Sequence, residues 1–151
     1  MMTEPAHRRV SIDASRLWGG GVATGFVAAL VAVVGVLVCA IADVRLVRPA
    51  LLLDLFHTFA GDYALTAFVL ALVATGVAHA MALVTPRPRM FFSWIVSLAT
   101  VAGVAFPFAV GESTESQVAT ACINLALGVC VLSLLGGVMA RTVRLTRAYD
   151  R

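Results

Sequence analysis

Between Leu17 and Ile41 the chain runs 25 residues without one charged side chain, a stretch made for lipid rather than water. As a helix rising about 1.5 Å per residue it reaches about 37 Å, enough to cross a hydrocarbon core of about 30 Å with some tilt. The stretch reads as a transmembrane helix. Along it Gly21, Gly25, Ala28, Ala32, Gly35 and Cys39 recur at alternating steps of four and three, which gathers the smallest side chains on one stripe. Small side chains let helix backbones approach closely in lipid, so this stripe is the expected packing seam.

Three more apolar runs follow, and the whole chain carries only 13% charged residues against about 25% in soluble domains. The second run is Tyr63 to Val84, and Thr85-Pro86-Arg87-Pro88-Arg89 then forces a turn, because proline lacks a donor and disfavours helix in the residue before it. The third, Phe91 to Val110, places Ser93, Ser97, Thr100, Gly103 and Pro107 on one face, with Pro107 expected to end or kink it. The fourth runs from Gln117 to Ala140. These spans leave a polar segment 1–16, a four-helix domain over 17–141 and a basic tail over 142–151. The first span is too long for a cleavable signal sequence and is expected to stay in place.

Charge sets the expected topology. The N-terminal segment, the Arg87 turn and the stretch from Arg141 to the end hold 3, 2 and 4 arginines, whereas the other two loops hold only Arg45 and Arg48 beside five acids. By the positive-inside rule both termini are cytoplasmic. Arg87, Arg89, Arg141, Arg144 and Arg147 are therefore expected at anionic lipid headgroups, each attracted by about 1 kcal/mol. Arginines confined to segments beside apolar spans point to lipid and away from nucleic acid.

The first loop, Asp43 to Asp62, is the least ordinary part. Pro49 can open a helix, and the leucines and phenylalanines of Ala50 to Ala60 leave Asp54, His57 and Gly61 on a narrow polar face. That segment is too short to span and reads as an interfacial or re-entrant helix, the alternative being a segment that lengthens the second span outward. The expected fold is all-α, four transmembrane helices in a bundle with this short helix in the first extracytoplasmic loop.

The segment T-P-R-P-R-M-F-F-S-W-I-V-S-L-A-T from Thr85 to Thr100, the later Pro107-Phe108 pair, and A-T-A-C-I-N-L-A-L-G from Ala119 to Gly128 resemble a family of actinobacterial four-helix membrane proteins known only as a domain of unknown function. The resemblance covers Leu17 to Arg141. It implies four spans and a bacterial inner membrane, and it carries no activity, ligand or catalytic residue.

Chemistry has few places to sit. His79 is the ionisable side chain read inside a span, with Thr75 four residues earlier on the same face. Asn124 lies about two turns into the fourth span. These three make a candidate polar site, set against the plainer reading of histidine and asparagine as hydrogen-bonding links between helices. Asp54 and His57, with Asp62, Glu112 and Glu115 on the same side, make a candidate outer-loop cation site, although loop carboxylates are usually solvated. Cys39, Cys122 and Cys130 form no C-x-x-C pair and read as small packing residues, with a Cys39–Cys122 disulfide as the alternative. No span carries Asp or Glu, as a proton-coupled exporter would need, and no nucleophile with a base is readable. No cofactor is expected. The first functional reading is a structural, accessory or complex-forming membrane protein, as a homo-oligomer or with a membrane protein partner. The second is a small-molecule or lipid carrier, and the third an enzyme or metal site on the outer loops.

Overall fold

The computed structural model describes residues 14–48, 55–56, 58–110 and 113–148, with side chains as far as Arg141. Its elements are α1 (Ala14–Ile41), α2 (Phe59–Val84), α3 (Pro88–Ala109) and α4 (Thr114–Ala148), all four long and apolar enough to cross a membrane. The chain is a multi-pass membrane protein.

Each boundary has a local cause. α1 closes with Asp43 in the left-handed region at φ 55°, which lets the Val44 N–H reach back to the Cys39 carbonyl at 2.9 Å and the Asp43 N–H to Ala40 at 3.3 Å. That is a Schellman closure built on aspartate in place of the usual glycine. α2 stops at Thr85, held extended at φ −117° and ψ 137°, because Pro86 follows. α3 then starts on Pro88, whose missing N–H is one that a first helical turn leaves unpaired in any case. Pro107 does not end α3: the helix runs on to Ala109 with the proline buried inside it.

The helices form a ring in chain order. α1 lies beside α2 and α4, and α3 beside α4 and α2, while α1 and α3 sit on a diagonal without contact among the described residues. One apolar cluster gathers Leu17, Ala78, Phe92, Val96, Leu135 and Met139 at the end that carries Arg87, Arg89 and Arg141, called here the basic end. A second gathers Ala28, Ala32, Tyr63, Ala67, Ala71 and Ile123 toward the far end. The pairs α1–α2 and α3–α4 are the most intimate, and the α2–α3 edge is much looser.

The first loop departs from the sequence expectation in its described part. Leu55 and Phe56 are bends, not helix. Their N–H groups both donate to one oxygen of Asp62, at 2.8 and 2.7 Å. Asp62 is buried in the first turn of α2, where a carboxylate is favoured by the helix dipole, and charge-assisted bonds of this kind outweigh a marginal helix through positions 55 and 56. Phe59 therefore opens α2, four residues before the expected start. The remainder of the expected Ala50–Ala60 helix lies mostly outside the described residues. Beyond α1, Val47 is buried, and its N–H donates to the Thr120 hydroxyl at 3.0 Å, laying the linker over α4.

Candidate functional site

Gly21, Gly25, Ala28 and Ala32 are buried and Gly35 half-buried. A Cβ built on Gly21 would overlap the Thr75 side chain, one on Gly25 would come within 2.8 Å of Phe68, and one on Gly35 would come within 3.0 Å of Ile123. The stripe thus faces α2 and α4 of its own chain, and close approach within the bundle uses it up.

The threonine hydroxyls embedded in the spans follow one rule. Thr24, Thr66, Thr75, Thr100 and Thr120 each donate to the carbonyl four residues earlier, at 2.7–2.8 Å. In lipid a hydroxyl without a partner costs several kcal/mol, on the order of 4 or more, and the helix backbone is the nearest acceptor. Thr75 is spent in this way on Ala71, not on His79.

Asn124 has a different origin. Pro107 has no N–H, so the Gly103 carbonyl four residues before it lacks its helical donor. Asn124 Nδ2 donates to that carbonyl at 2.7 Å, and Asn124 Oδ1 accepts from the Tyr63 hydroxyl at 2.8 Å. One amide therefore joins α2, α3 and α4. His79 is elsewhere. Its ring lies 6.4 Å from the Trp18 ring on α1, and its Nδ1 is buried without a hydrogen-bond partner. The structure does not bring His79, Thr75 and Asn124 into one polar cavity.

A cavity does form along the loose α2–α3 edge. Its volume is about 560 Å³, within the usual range of small-molecule sites, and its lining is almost wholly apolar. Leu70, Val73 and Ala74 of α2 form one wall, and Ile95, Ala99 and Gly103 of α3 the other. Leu127, Gly128 and Val131 of α4 form the floor, which is close because a Cβ on Gly128 would run into Thr100. The rims are exposed, Leu70 at 51%, Val73 at 57% and Ile95 at 42%, so the cavity is a groove open sideways to lipid. Asn124 and Thr120 lie along it; His79 does not.

Sequence reasoning missed this groove. It had placed Thr100 and Gly103 on one face of the third span, and those two do line it. A cavity, however, is a relation among three helices and leaves no mark on any one of them.

Arg87, Arg89 and Arg141 are exposed at the basic end. Arg144 and Arg147 fall on the continuation of α4, beyond the described side chains. Asp54, His57 and Glu112 of the candidate outer-loop site lie outside the described residues, and Glu115 is exposed. Among the described residues no group of three or more His, Cys, Asp or Glu is placed to hold a metal ion, and Cys39, Cys122 and Cys130 are free thiols.

A model of a protein family described as a family of unknown function, DUF6069, matches residues 12–141. No curated protein and no solved structure matches.

Proposed function

This chain belongs to that family of unknown function, and we propose that it is a non-enzymatic accessory protein of the membrane that holds one hydrocarbon tail of a bilayer lipid in the α2–α3 groove. The observation that carries the reading is the groove's shape and lining. It extends about 16 Å along α2 from Thr66 to Val77, is lined almost wholly by apolar side chains and opens sideways to lipid. A single hydrocarbon tail, packing at carbon–carbon distances of about 4 Å, suits such a slot.

Position supports the same occupant. Thr66 and Val77 each lie seven residues from an end of α2, which supports a groove at the depth of lipid tails and away from the headgroups. The small stripe of α1, the strongest argument for a partner helix, is already covered within the chain. Arg87, Arg89 and Arg141 share one end, and Arg45 and Arg48 lie with Asp43, Asp62 and Glu115 at the other. That separation supports an inner-membrane protein with its basic end and both termini in the cytoplasm.

Photo-crosslinking with a phospholipid carrying a diazirine on its tail tests the proposal. Labelled peptides from the wild type should fall on groove residues of α2, α3 and α4. A Cβ on Gly103 meets nothing within 4 Å, so Gly103→Leu should fill the groove without moving the backbone and remove most of that labelling. Gly19→Leu, equally open but on α1, should leave it intact. Labelling spread evenly round the bundle, or unchanged by Gly103→Leu, would overturn the reading. Crosslinks from the groove to a second protein would replace the lipid with a partner.

A further inference from the structure

On another side of the α3–α4 pair, at the basic end, lies a second cavity of about 530 Å³ that shares no lining residue with the groove. Two glycines make it. A Cβ on Gly136 or Gly137 of α4 would meet nothing within 4 Å, so the hollow occupies the room their side chains would have filled. α3 faces it with Arg89 in its first turn and Ser93 one turn on, and α4 adds Ser133. Met90, Phe92, Trp94, Leu132 and Met139 supply most of the apolar lining.

That lining combines one cation, two serines and apolar surface. The Arg89 guanidinium is exposed at the end of the span, and among the described residues it makes no ion pair and Ser93 makes no hydrogen bond. A guanidinium offers paired donors that match a phosphate, and the Ser93 hydroxyl adds a single donor beside it, while the Ser133 hydroxyl already donates to the Cys130 carbonyl at 3.0 Å. Arg87 and Arg141, both exposed, raise the positive potential at the same end. An indole at this depth marks the boundary between headgroup and tail. An exposed guanidinium and a serine hydroxyl beside apolar surface suit the phosphate and the first methylenes of a phospholipid.

We infer that this cavity binds a phosphate ester anion, presented by the headgroup of an anionic phospholipid. The site is separate from the groove, and neither depends on the other being filled. The phosphate chemistry is shared with soluble phosphate, and the apolar lining favours the lipid as its source.

The test is native mass spectrometry of the full chain released from nanodiscs containing equal amounts of phosphatidylglycerol and phosphatidylcholine. The wild type should retain phosphatidylglycerol preferentially. Arg89→Gln, an exposed change with little bearing on folding, should lower that preference by about fivefold. Gly137→Leu should fill the hollow and abolish the adduct with Arg89 still in place, and Gly103→Leu in the groove should leave the adduct untouched. Retention in the presence of excess inorganic phosphate assigns the lipid as the source, whereas displacement keeps the phosphate site and assigns a soluble anion. Equal retention of both lipids by the wild type, or an undiminished adduct in both Arg89→Gln and Gly137→Leu, would overturn the inference.

Discussion

Asn124 supplies the hydrogen bond that Pro107 takes away. The proline withholds a donor from the Gly103 carbonyl, and the Asn124 amide on the next helix delivers one at 2.7 Å. Asn124→Leu should cost about 1–2 kcal/mol, near the upper end for polar contacts in a bilayer, because it also strands the Tyr63 hydroxyl. Pro107→Ala restores an N–H to α3, so Asn124→Leu should cost measurably less in that background. A double-mutant cycle followed by thermal unfolding in detergent reads the coupling. Strict additivity would show that the two residues act independently.

Gly21 should tolerate no side chain. Thr75 is fully buried with its hydroxyl fixed on Ala71, so the Cβ of Gly21→Ala has nowhere to displace it. Overpacking of this kind costs about 1–3 kcal/mol. Gly21→Ala combined with Thr75→Ala should recover most of the loss in melting temperature, and Gly19→Ala, at an open position, should lose none.

How far the sequence could be read follows from such pairs. The spans were legible because a long uncharged run has one physical reading in a chain this apolar, and their ends shifted only by a few residues. The α1 stripe was legible as spacing, but not that it would meet Thr75, Phe68 and Ile123, since partners are set by how four helices close into a ring. Pro107 and Asn124, the only asparagine in the chain, each stand out in the sequence on their own. Counting four residues back from the proline would have found the orphaned carbonyl at Gly103. At Leu55 and Phe56 the apolar pattern misled, because a buried carboxylate further along the chain captures both N–H groups, and no local periodicity records that.

His79→Phe should leave stability unchanged or raise it by up to about 1 kcal/mol. A buried Nδ1 with no partner is a cost that an apolar ring against Trp18 does not carry. Thermal unfolding in detergent checks this. A marked loss of stability would show that His79 makes a bond essential to the fold.

Asp43→Gly should stabilise the chain by about 1 kcal/mol. The residue sits at φ 55°, a conformation that costs a side-chain-bearing residue about that much and glycine almost nothing. Asp43→Val should shift the melting temperature the other way. Equal melting temperatures for all three proteins would mean that α1 does not close through this turn.

The α2–α3 groove is pinned at both ends. Thr85–Arg87 ties its walls together at the basic end, and the Tyr63–Asn124–Gly103 bridge ties them near the other. With both ends of its walls tied, the slot offers no obvious swing of α2 against α3. On the proposed reading, a tail held there would exchange by mass action with the surrounding bilayer and not by a gating motion of its walls.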